Sequence, residues 1–187
     1  MSEKDREIWD CKHEQAADSS LGTPLSSTRW ISEAPSDGWA LDLACGRGRH
    51  CGVLLARGYR IVAVDVSRKA LECVRQRYAT FGGRMVVLQA DLDDWPFASE
   101  AFDLVLQCDF LDRRLFPAIK ASVRAGGCAL VDTFAINDHS GSGPRTPKFR
   151  LEQGELERAF SDWKSQRVEH RQSPSPRSAI LARKPPR

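Results

Sequence analysis

The chain has 187 residues, 41% of them hydrophobic and 28% charged, the balance of one globular domain with a buried core. No apolar run reaches the roughly 18–20 residues that a bilayer span needs, and the charged opening stretch does not read as a secretory signal, so a cytoplasmic location without membrane attachment is expected. A net charge of +3 is too small to argue for nucleic acid, although Lys164–Arg187 holds seven Lys or Arg against the single acid Glu169.

In chain order, residues 3–16 read as a polar helix carrying Ile8 and Trp9 on one side. Ser19–Thr28 reads as loop, with a short helix after Pro24. Residues 1–38 form an N-terminal segment that can serve as a lid, and 39–187 form the main domain. Trp39–Ala44 is a short strand running into a glycine-bearing turn. A helix follows from Gly48 to Arg57 and is closed by Gly58. The β-branched run Arg60–Asp65 is a second strand, and Ser67 is suited to cap the helix Arg68–Tyr78. Arg84–Ala90 and Phe102–Gln107 are the third and fourth strands. Arg113–Arg124 is a helix with Pro117 near an internal start, and Cys128–Phe134 is the fifth strand. Beyond it Asn137–Arg150 is a polar loop and Glu152–Trp163 is helical. Residues 165–172 and 178–184 pair as a hairpin. Near-continuous apolar strands alternating with helices specify an α/β fold whose doubly wound parallel sheet binds ligands at the carboxyl ends of its strands.

The chemistry concentrates at those ends. Asp42 closes the first strand, and Gly46 and Gly48 let the backbone turn sharply and approach a ligand. The helix opened by that turn presents free N–H groups. Nineteen residues after Gly46, Asp65 ends the second strand, where a carboxylate can accept both hydroxyls of a ribose. Asp91 follows the third strand, facing an adenine amino group. A dinucleotide dehydrogenase would place a third glycine where this chain has Cys51, and no second domain is available for its substrate. An acid-rich rim also suits a cationic sulfonium better than a pyrophosphate.

The run Leu41–His50, continued through Leu54–Asp65, Ala90–Leu92, Phe102–Leu106 and Ala125–Gly127, resembles class I S-adenosylmethionine-dependent methyltransferases, in particular the tellurite-resistance-type and related small methyltransferase-domain proteins. The likeness covers residues 39–134. It implies a Rossmann-like, seven-stranded sheet of order 3-2-1-4-5-7-6 with strand 7 antiparallel, and S-adenosyl-L-methionine as cofactor. Carried over by position, Asp42 and the turn Ala44, Cys45, Gly46 and Gly48 hold the methionine end. Asp65, with Val66 after it, holds the ribose. Asp91 and Leu92 contact the adenine, and Gln107 with Cys108 lines the wall near the transferred methyl. Ala125 departs from the proline usual in the family.

Asp109 and His139, beyond strands four and five, are the candidate catalytic residues. His50 reads as structural, and Cys45 and Cys108 as pocket-lining rather than nucleophilic. The six cysteines contain no Cys-x-x-Cys pair, so no metal site is expected. Strand four ends Gln107-Cys108-Asp109-Phe110 without the Asn-Pro-Pro-Tyr type of signature. The expected activity is therefore methyl transfer to a small metabolite or xenobiotic by a monomer or homodimer. RNA or protein methylation and a non-catalytic cofactor-binding subunit are the alternatives.

Overall fold

The computed structural model describes residues 3–15, 22–136, 143–172 and 175–187. A seven-stranded sheet runs β3-β2-β1-β4-β5-β7-β6. Its strands are β1 (Trp39–Leu43), β2 (Arg60–Asp65), β3 (Met85–Gln89), β4 (Phe102–Cys108), β5 (Val123–Phe134), β6 (Lys164–Arg171) and β7 (Arg177–Arg183). The first five pair parallel, and β7 is antiparallel to both β5 and β6. Order and direction are those the family resemblance implies.

The sheet is apolar on both faces because each is covered. On one, Leu54 and Leu55 of α2 (Cys51–Ala56) and Leu71 and Val74 of α3 (Arg68–Arg77) pack against Ala40, Ile61, Leu104 and Leu130. Trp30 and Ile31 of the 3-10 helix Ser26–Glu33 complete that layer. On the other face, Phe116 and Ile119 of α4 (Phe116–Ser122) and Leu156 of α5 (Glu155–Ala159) cover Leu41, Leu43, Val105 and Val131. Phe160 there meets Phe116 and Trp163 edge-on, with centroids 5.8 and 5.6 Å apart. Each fully buried side chain of this size contributes roughly 1.5–3 kcal/mol, so the two layers together hold the strand ends in register.

Four elements differ from the sequence expectation, the first being the helix expected from Gly48, which begins at Cys51 because Gly48 is left-handed. The helix expected over 113–124 begins as a 3-10 turn at Arg113–Leu115 and becomes α4 only at Phe116, where Pro117 suits the first turn. Val123 then leaves the helix and pairs with Phe102, so β5 starts five residues before Cys128. The helix expected over 152–163 contracts to Glu155–Ala159, because Gly154 at φ +67° sets its start. The N-terminal helix, the short helix after Pro24 and the closing hairpin stand where expected, at Glu3–Gln15 (α1), Ser26–Glu33 and β6–β7. Part of the loop expected over Ser19–Thr28 is taken up by that 3-10 helix, and the rest of the stretch includes residues outside the described ones. No helix among the described residues is long and apolar enough to cross a membrane.

Candidate functional site

Where β1 ends, the backbone reverses through three left-handed residues: Ala44 (φ +51°), Gly46 (+54°) and Gly48 (+78°). Cys45 N–H reaches back to Val64 O at 3.0 Å, and Gly48 N–H to Cys45 O at 3.0 Å. A Cβ on Gly48 would lie 3.0 Å from Val74 Cγ2 and 3.2 Å from Cys51 Sγ, so α3 and α2 leave space only for glycine. The turn is braced from α3 by Tyr78, whose hydroxyl donates to Gly48 O at 2.9 Å.

Asp65 joins this turn to the next one. Its Oδ2 accepts Gly46 N–H and its Oδ1 accepts Ser67 N–H, each at 2.8 Å. The carboxyl group is 7% exposed; burial pushes its pKa up, with the two backbone donors opposing. Ser67 in turn caps α3, accepting Ala70 N–H at 3.1 Å. α1 lies across this corner. Asp10 accepts Ser67 Oγ–H at 2.6 Å and Lys69 N–H at 3.1 Å, and His13 Cε1 lies 3.6 Å from where a Gly46 Cβ would stand. Burial lowers the His13 pKa, with Asp65 opposing.

Asp42 is buried beneath the turn at 1% exposure, with Cys51 Sγ 3.9 Å from its Oδ2. Burial raises its pKa to about 7; the Arg49 charge opposes this and the Asp65 charge adds to it. A carboxyl raised above its unfolded value of 3.8 disfavours the folded state once it ionises. Its cost is absent below pH 4, grows as pH rises, and is complete above pH 7. Asp42→Asn is therefore expected to stabilise the ligand-free protein at pH 8 by about 4 kcal/mol and to leave stability at pH 4 nearly unchanged. Thermal unfolding at the two pH values reads this out, and equal gains at both would contradict it. The same burial pushes the Cys45 and Cys108 thiols well up, which fits lining groups and not thiolate nucleophiles.

The other expected positions fall along the same rim. Val66 is buried and its carbonyl accepts Gln89 Nε2–H at 3.0 Å. Asp91, partly exposed past the end of β3, accepts Asp93 N–H at 2.9 Å in the turn that follows, and Leu92 is buried. Gln107, opposite Leu43 of β1 and Val131 of β5, is fully buried with no hydrogen bond to either amide atom among the described residues. His139 lies outside the described residues.

Asp109 follows β4 in a left-handed conformation (φ +54°) and is ion-paired with both Arg49 and Arg177. Burial raises its pKa, but the two guanidiniums outweigh this and hold the carboxyl below the usual range. This geometry makes it a charge-ordering group and a poor proton acceptor.

The sequence reading did not single out the partners of Asp109. Asp132, in β5, is fully buried and takes Arg177 Nε at 2.8 Å, Ser27 Oγ at 2.5 Å and the Arg171 guanidinium. His50 is 2% exposed with Nε2 unpartnered, and burial, aided by Arg49, lowers its pKa to about 3. An acid inside the apolar run Cys128–Phe134 is the one local signal that a buried cation had to be nearby.

A family model described as a methyltransferase domain matches residues 40–127. The uncharacterized methyltransferase YodH of Bacillus subtilis is 38% identical over 86 residues, which is 46% of this chain and 37% of that protein. This chain spans only 33% to 38% of the length of the curated relatives it matches. TehB from Haemophilus influenzae superposes with a TM-score of 0.74 at 17% identity, over 96% of this chain and 66% of TehB. The 1,6-didemethyltoxoflavin-N1-methyltransferase of Burkholderia thailandensis, solved with 1,6-didemethyltoxoflavin and S-adenosylhomocysteine bound, gives 0.73 at 16% identity, over 97% and 86%. At those identities the likeness to the solved structures is one of fold.

Proposed function

We propose that this chain, a member of the class I S-adenosylmethionine-dependent methyltransferases, methylates a small molecule at the carboxyl ends of β1, β2 and β4. The Asp65 carboxylate carries the reading. Its oxygens accept the Gly46 and Ser67 N–H groups, with the Val66 N–H adding to them, while a carboxylate offers about four acceptor positions. The capacity left over suits a ribose hydroxyl.

The residues present fit an adenosyl sulfonium. Among the described residues the Gly46 side-chain position meets only His13 within 4 Å, so a ligand there can reach the bare backbone. The donor set at the rim, Asp42, Asp65 and Asp91, is acidic, as a cationic group requires, and the Gln107 amide has unmet hydrogen-bonding capacity. When bound, S-adenosyl-L-methionine supplies an electrophilic methyl whose transfer leaves a neutral thioether.

The chain's own part is orientation and exclusion of water. Asp65 and the Ala44–Gly48 turn fix the nucleoside and methionine ends, Val66 and Leu92 supply apolar walls, and Asp91 faces the base. Gln107 and the Asp109 region border the acceptor side. α1 roofs Gly46 and Asp65, so entry of the nucleoside requires the Asp10–Ser67 contact to open. In this reading residues 1–38 act as the lid of the domain formed by 39–187. His139, which follows β5 in the sequence and lies outside the described residues, is the remaining candidate for proton removal from an acceptor that needs it.

The basic C-terminal stretch argues for a small acceptor over RNA. Arg167, Arg171, Arg177, Arg183, Lys184 and Arg187 each engage a carboxylate or carbonyl of the chain itself. Six of the seven cations are thus held in place by groups of the chain, and not arrayed as the free basic stripe that a polynucleotide backbone requires. Transfer of tritiated methyl from S-adenosylmethionine into separated metabolite, RNA and protein pools tests the reading. Label in the metabolite pool is expected; label confined to RNA or protein would overturn the acceptor class, and none in any pool the activity.

A further inference from the structure

Three guanidiniums, Arg49, Arg171 and Arg177, gather at the ends of β4 and β5 around the carboxylates Asp109 and Asp132, with Glu169 at the outer side of Arg171. The arrangement is built from the interior outward. Asp132 is fully buried and fixes Arg171 and Arg177, while Arg177 keeps only 11% side-chain exposure and lies over the Phe134 ring at 4.6 Å. Arg177 then reaches Asp109, and Asp109 reaches Arg49, which belongs to the same turn as Gly46 and Gly48. The chain of charges thus ends at the methyl-donor side.

The guanidiniums are not used up by these contacts. Each has five N–H donors. Arg49 spends Nη2 on Asp109; Arg177 spends Nε and Nη2 on Asp132 and Asp109. Arg171 Nε is buried with no hydrogen bond, Glu169 Oε1 standing 3.7 Å away. Beside them the His50 imidazole is buried with Nε2 unpartnered. An anion entering beside Asp109 therefore finds unspent guanidinium N–H donors, which can pair with two oxygens at once in fork geometry.

Resting on the methyltransferase reading above, we propose that the methyl acceptor is a small anion, a carboxylate or phosphate monoester, docked on the spare donors of Arg49 and Arg177 beside Asp109. Asp132 is a positioning residue that holds Arg177 in place.

Four probes sharing a phenyl group separate the chemistry: benzoate, phenyl phosphate, benzamide and benzylamine. Each is titrated into the full chain with and without saturating S-adenosylhomocysteine. At least one anion is expected to bind about ten-fold more tightly than benzamide, with benzylamine weakest. Which anion prevails tells carboxylate from phosphate. Arg49→Gln, at a side chain whose hydrogen-bond partner among the described residues is Asp109, is expected to erase the preference to within about three-fold while affinity for the cofactor product stays within about two-fold. Arg177→Gln should act in the same direction, and Arg49→Gln decides the matter where loss of the Asp132 contact unfolds the protein. Equal binding of benzoate, phenyl phosphate and benzamide, a preference that survives Arg49→Gln, or no saturable binding of either anion overturns the proposal. Anion binding without any binding of the cofactor product would leave the anion site standing and remove the methyltransferase reading instead.

Discussion

Asp65→Ala is expected to lower affinity for S-adenosylmethionine by about 100-fold, measured by isothermal titration, because hydrogen bonds to a charged group contribute roughly 1.5–3 kcal/mol. Two losses combine. The ribose loses its acceptor, and the Gly46 and Ser67 N–H groups lose the carboxylate that ties one turn to the other. The second loss is expected to cost about 1–2 kcal/mol of folding stability as well, so thermal unfolding of the variant must accompany the titration. Asp65→Asn separates the two. It keeps an acceptor oxygen for one backbone N–H but turns an amide donor toward the other, so its affinity should fall between wild type and Asp65→Ala. A folded Asp65→Ala protein with unchanged affinity would move the cofactor away from this corner of the sheet.

That corner was legible in the sequence because its determinants are local. Asp42, Gly46 and Gly48 sit within one turn, and Asp65 and Ser67 within the next. The apolar runs around them announce strands regardless of the rest of the chain. Strand order is not local, and it was read only through the family resemblance. The α4–β5 junction was misplaced for a related reason. Val123 has equal claim to a helix end or a strand start until Phe102, 21 residues earlier, offers it a pairing partner. The roof over Gly46 depends on Asp10 meeting Ser67 from 57 residues away, and no spacing rule reports such a contact. The charge network is the most distant of all, since Arg177 joins Asp109 across 68 residues and Asp132 across 45. Composition marked Lys164–Arg187 as basic but could not sort its cations: Arg171 and Arg177 turn inward to Asp132, while Lys164, Arg167 and Arg187 stay exposed.

Asp132→Ala should be the most damaging single change for stability, at about 3–5 kcal/mol, because it removes the fully buried counter-charge that Arg171 and Arg177 share and leaves them only Glu169 and Asp109 nearer the surface. For a chain of this size that lowers the unfolding midpoint by roughly 6–20 °C. The cost arises from leaving the inner sides of Arg171 and Arg177 without a partner, not from the worth of the carboxylate alone, since buried ion pairs offset much of their attraction with desolvation. Removing the stranded charges along with the acid should then recover stability. Asp132→Leu combined with Arg171→Met and Arg177→Met is expected to unfold at a higher temperature than Asp132→Ala, despite carrying three substitutions. Asp132 also takes the Ser27 hydroxyl, so the single variant should loosen the 3-10 helix Ser26–Glu33 first and raise hydrogen exchange at Trp30 and Ile31 before the central strands. A loss below about 1 kcal/mol, or exchange that rises evenly over the sheet, would mean that apolar packing and not this carboxylate fastens β7 and the 3-10 helix to β5.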